Sequence, residues 1–158
     1  KLEHRRELVV LGDEVVDAVV GYRSWRVLLE SGQPILHSLH TRYIGCWEPG
    51  EPLHTRCRCE ELELSSSECC GVDPSCGIHA ARAARLLPDY RPLDQYVVTG
   101  EVYLWGEVRV YELAYRAEYG LPAALYVYEL QGHVDRLVTE LVAQRYGLPL
   151  VRPDAVVA

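Results

Sequence analysis

Six cysteines are the residues best equipped to do chemistry: Cys46, Cys57, Cys59, Cys69, Cys70 and Cys76. Thiolates bind borderline metals, and a structural zinc takes four such ligands in a tetrahedron, often as two pairs a few residues apart. Cys57 and Cys59 form one pair. Cys70 and Cys76 supply the second, with Cys69 or His79 as alternates. A zinc staple on Cys57, Cys59, Cys70 and Cys76 is therefore the expectation. Free thiols, disulfides and small buried apolar side chains are the competing readings. The Cys57-Arg58-Cys59 spacing is tighter than the usual two-residue gap, so the chain must turn sharply to bring both sulfurs to one ion.

A second constellation is aromatic. Phe and Met are absent, and Trp25, Trp47 and Trp105 join 11 tyrosines as the large rings. If the sheet curls, Trp47 and Trp105 line a concave mouth in which a planar molecule stacks. Arg116 then offers one charge-assisted contact, with Glu118 beside it. The competing reading is that the tryptophans fill the core in place of Phe. His37, His40 and His54 flank Ser38 and the Trp47 segment. No G-x-S-x-G elbow accompanies Ser38, so hydrolase chemistry is set aside.

Composition removes other classes. The net charge is -7 with no basic tract, which argues against binding long duplex nucleic acid but not against holding one flipped base. The one lysine is Lys1, so a P-loop lysine or Schiff base has no residue to use. No dinucleotide fingerprint, H-E-x-x-H zinc helix or deaminase signature occurs. No apolar stretch approaches a membrane span. The chain begins at Lys1, as a fragment or processed product would, and carries no secretory pattern there. The default expectation is a cytoplasmic protein.

The elements that must position these residues follow from periodicity. Residues 7–20 read as a short helix capped by Asp13, against a high β-branched content. Residues 22–29 and 35–40 alternate as a hairpin around a turn at 30–33. Residues 45–76 show little periodicity, and a structureless stretch that long needs something to order it. Residues 77–87, rich in Ala, read as a helix ended by Pro88. Residues 96–112 give the clearest strand, with Val98, Val102, Leu104, Val108 and Val110 on one face. Gly100 and Gly106 there mark bends or bulges. Residues 113–119 and 124–130 read as two strands around Gly120-Leu121-Pro122. Residues 133–146 form an amphipathic helix with Val134, Leu137, Val138, Leu141 and Val142 inward. Gly147 ends it, and 148–151 is a short edge strand.

Several segments taken together resemble a set of small uncharacterised proteins common in actinobacteria. They are G-Y-R-x-W (21–25), W-x-P-G-E-P (47–52), C-G-I-H-A (76–80), V-x-G-x-V-x-L-W-G-x-V (98–108), Y-R-A-E-Y (115–119) and R-Y-G-L-P-L (145–150). In that set the third segment reads C-x-C-G-I-Y-A. Here Pro74 stands for its first cysteine and His79 for the tyrosine, so Cys69 and Cys70 are the sulfurs left to take over. The resemblance implies a fold relationship and brings no activity with it.

The expectation is one α+β domain over 1–158 with a Cys-rich, metal-knuckle-like insertion at 45–80. Its sheet is strongly curved and antiparallel, or a small β-barrel, with two flanking helices; a PUA-like barrel is one option by analogy of strand pattern. The function expected is a zinc-stapled, non-enzymatic binding module for a planar small molecule, a nucleobase or a peptide. A small enzyme built on cysteine, His79, Glu118 and Arg116, or an accessory protein that docks a partner, are the alternatives.

Overall fold

The computed structural model describes residues 2–39, 46–55, 77–87, 95–129 and 131–153. In chain order the strands are β1 (Arg6–Leu11), β2 (Glu14–Glu30), β3 (Gln33–Ser38), β4 (Cys46–Trp47), β5 (Leu53–His54) and β6 (Ile78–Ala81). A 3-10 turn (Ala84–Leu86), β7 (Tyr96–Val110), β8 (Ala114–Tyr126), helix α1 (His133–Tyr146) and β9 (Leu150–Val151) follow. All pairings are antiparallel except β8 with β9.

Three long strands carry the architecture. β2 pairs with β7, β7 with β8, β8 with β6, and β6 returns to β2 through Tyr22 opposite Ala81. The sheet thus curls into a ring of four strands. The expected curvature is present at that level. Trp25, Trp47, Ile78, Leu104, Tyr115 and Leu125 fill the interior, each fully buried. No helix among the described residues is long and apolar enough to cross a membrane.

The expected helix over 77–87 is instead β6 followed by the 3-10 turn, which leaves α1 as the one α-helix among the described residues. The alanines there serve close approach, not helix propensity. A Cβ on Gly21 would lie 2.7 Å from the Ala80 Cβ, so β6 meets β2 only through small residues. The helix expected over 7–20 is also absent. β1 and the first part of β2 form a hairpin around Gly12-Asp13, with Val10 opposite Val15. Branched valines are stiff in helices and pack well on a pleated surface, and here that preference prevails.

The β2–β3 hairpin falls where alternation put it. Its turn is tighter: Glu30 pairs with Gln33, and Ser31 and Gly32 have φ of 51° and 77°. Positive φ at both central residues gives a ribbon whose twist matches the strands. The two strands expected after 113 are one continuous β8. Val98, Val102 and Leu104 face inward as expected, while Val110 is exposed beyond a register shift between Trp105 and Val108.

Helix α1 has the expected span and its Gly147 stop, at φ 65°. Leu148 N–H closes the end onto the Ala143 carbonyl at 2.9 Å. Its inward face differs from the apolar stripe: Thr139, Val142, Ala143 and Tyr146 are buried, while Val134, Leu137 and Leu141 are about half exposed. Tyr146 sets this rotation. Its ring joins the core, and its hydroxyl accepts from Leu36 N–H at 2.8 Å and donates to the Trp47 carbonyl at 2.5 Å. A buried phenol needs such partners, and only this rotation of the helix reaches them.

Candidate functional site

The site forms where β7 breaks register. Gly106 has φ of 80°, and a Cβ there would sit 2.7 Å from Glu118 Oε1. Only glycine permits the carboxylate so close. Glu118 Oε1 accepts from Glu107 N–H at 3.1 Å, and Oε2 lies 3.1 Å from His54 Nε2. One carboxylate therefore holds the bulge on β7 and orients a ring on β5.

That bulge sets Trp105 in an aromatic ladder. Trp105 and Tyr119 are register partners, as are Tyr119 and His54. The Trp105 and Tyr119 rings lie 5.7 Å apart and 8° from parallel; Tyr119 and His54 lie 4.4 Å apart at 15°. Trp105 also lines a cleft of about 230 Å³ between the β1–β2 hairpin and the bulge. Val19, Leu104 and Val108 give the cleft an apolar wall, and His4, Arg6 and Asp17 supply its polar groups. Arg6 and Asp17 pair at 3.3 Å, and His4 Nδ1 meets the Tyr115 hydroxyl at 2.8 Å. The volume lies below the ~300–1,000 Å³ of drug-sized pockets, which suits a molecule of about one ring.

The two tryptophans expected to share a mouth do not meet. Trp47 is fully buried inside β8: a Cβ on Gly120 would come within 3.2 Å of its ring. Side chains alternate along a strand, so the Tyr119 ring that stacks on Trp105 is on the other face. Trp47 packs edge-on against Trp25 at 5.7 Å and donates Nε1–H to Ser38 Oγ. Ser38 Oγ also accepts from Arg23 Nη2 at 2.8 Å, so this serine is fully engaged in holding the core.

Arg116 stands in register with His79 of β6 and Arg109 of β7, its guanidinium 5.4 Å from the Tyr111 ring centre. It does not line the cleft among the described residues. Glu118 is beside Trp105, but as the clamp of the bulge. Cys57, Cys59, Cys70 and Cys76 lie outside the described residues, as does Cys69. Among the described residues, the group with metal-ligand chemistry is Glu30, His37 and Cys46.

Sequence reasoning does not single out Tyr119 or the polar rim of Arg6 and Asp17, and it sets His54 beside the Trp47 segment and not under Trp105. Their signal is register, which joins strands far apart in the chain. Arg23 was more accessible to such reasoning, since it shares the face of Trp25 and Val27 on β2. Its guanidinium is buried, donates to the His79 carbonyl at 2.5 Å and lies 5.1 Å from the Trp47 ring centre. Burial pulls its pKa below the ordinary arginine value.

Comparison of the chain with known protein families, with curated proteins and with solved structures finds no match.

Proposed function

We propose that the protein is a non-enzymatic binding module whose ligand, a single planar ring of the nucleobase type, enters the cleft and lies against Trp105. The observation that carries this reading is the setting of Trp105, braced through Tyr119 and His54 and bordering a small cleft of mixed polar and apolar lining with one ion pair at its rim. A braced ring loses little freedom when a ligand stacks on it, which favours recognition. Arg6 and Asp17 offer both a donor and an acceptor to the edge of a heterocycle. A zinc staple on Cys57, Cys59, Cys70 and Cys76 remains part of the proposal, on the spacing of those residues alone.

Titration with the one-ring bases cytosine and uracil, and with adenine and guanine as larger two-ring probes, tests it through tryptophan fluorescence. Trp25 and Trp47 are buried, so quenching by a stacked base reports on Trp105. Trp105→Ala is expected to weaken binding by about 5- to 150-fold, the ~1–3 kcal/mol of one aromatic stack. Trp105→Phe keeps a ring for stacking and should retain most of the affinity, measured by calorimetry. Binding of none of the four bases, or affinity unchanged in Trp105→Ala, would overturn the reading.

A further inference from the structure

We propose that Glu30, His37 and Cys46 form a second, independent site, for a divalent cation of the zinc class. The three residues come from three adjacent strands at one edge of the sheet. His37 on β3 and Cys46 on β4 are register partners, so the backbone ladder fixes their spacing. Glu30 ends β2, and its side chain reaches back along the same face. One ligand atom from each, an oxygen, a nitrogen and a sulfur, lies within 4.8 Å of the other two.

Those separations are close to a ligand set. Bonds of ~2.0–2.3 Å in a tetrahedron leave neighbouring ligand atoms roughly 3.3–3.8 Å apart. Side-chain rotation alone covers the remaining ångström. Nitrogen, thiolate and carboxylate together suit zinc better than magnesium or calcium, which prefer oxygen alone. Three protein ligands leave a fourth position for water.

The second observation is the state of His37. Its Nε2 is buried without a hydrogen-bond partner, and the facing Glu30 Oε1 stands 3.8 Å away, beyond hydrogen-bond length. A buried ring nitrogen left this way is destabilising. A cation bound between His37 and Glu30 satisfies the nitrogen and the carboxylate together.

The surroundings fit the chemistry of loading. The Cys46 thiol donates to Glu48 Oε1 at 3.3 Å. Burial, then Glu48 and Glu30, holds that thiol above its ordinary pKa, so without metal it keeps its proton. On loading, the S–H bond breaks as the metal–sulfur bond forms, and the proton passes through Glu48 to water. Two carboxylates, Glu30 and Glu48, face the position, and the opposing charge is Arg26, the cross-strand neighbour of His37 on β2. The two acids outweigh the one arginine.

Cobalt(II) added to the full chain, followed by its thiolate absorption and by zinc competition, is the test. A band that survives in the Cys57→Ser/Cys59→Ser/Cys70→Ser/Cys76→Ser variant and is lost when Cys46→Ser is added to that variant supports the site. His37→Gln and Glu30→Gln are expected to weaken binding at this site by about 100-fold, and Glu48→Gln, acting through the sulfur, by about tenfold. Should the fourfold variant fail to fold, ring-nitrogen NMR of the otherwise unaltered chain decides: zinc must shift His37 Nε2, and must not in Cys46→Ser. The proposal fails if no cobalt binds at millimolar concentration, if the band of the fourfold variant is intact once Cys46→Ser is added, or if zinc leaves His37 unmoved. Base binding at Trp105 is read in a different assay, so the two proposals stand or fall separately.

Discussion

Tyr146 connects two backbone groups that would otherwise be stranded. Its hydroxyl sits between Leu36 N–H and the Trp47 carbonyl, where β3 and β4 would share a ladder bond. Tyr146→Phe keeps the ring and removes that bridge, leaving a buried donor and acceptor. The expected cost is ~1–3 kcal/mol, a fall in melting temperature of a few degrees for a chain of this size. Calorimetry of the variant checks it. Burial also pushes the Tyr146 phenol up to about 12, against ~10 in the unfolded chain. The folded state holds that proton more tightly. Its contribution is complete below about pH 10 and is lost as pH rises through about 12. Burial raises the Tyr126 and Tyr103 phenols too, so urea midpoints should decline over that alkaline range. Tyr146→Phe should flatten part of the decline.

At the scale of elements, periodicity reads burial well where one physical demand dominates, and fails where two compete. β7 and the β2–β3 hairpin were legible because alternate residues meet the core and nothing else claims them. The Ala-rich run misleads because the same small side chain serves helix propensity and close strand crossing. Helix α1 was legible in span and stop but not in rotation, since Tyr146 outweighs the aliphatic stripe. A direct comparison tests that rotation. Leu137→Glu and Leu141→Lys should each change stability by less than about 0.5 kcal/mol, whereas Val142→Ala, fully buried, should cost ~1–2 kcal/mol. Equal losses in denaturant melts would reverse the assigned face.

For the whole molecule, the curved sheet was readable from Gly100 and Gly106 inside one long strand, because glycine there signals bends. Closure of the ring was not, since the β2–β6 joint rests on a single pairing between residues nearly sixty positions apart in sequence. The candidate site was half legible: Trp105 and Glu118 are neighbours as their spacing suggests, but the brace beneath them depends on β5, brought in by long-range register. Trp47 misleads because Trp suits both a binding wall and a core, and composition cannot separate the two.

The hydroxyl bridge at the β3–β4 edge also dictates an order of assembly. Its two backbone partners precede Tyr146 by 110 and 99 positions. A chain emerging from the ribosome therefore carries an incompletely sealed edge until Tyr146 has been made. Cys46 lies on that edge, so the strand that carries the proposed cation ligand is bridged to β3 through Tyr146 only once α1 arrives. A chain that stops short of Tyr146 would lose the bridge at Leu36 and Trp47, about a hundred positions before the break.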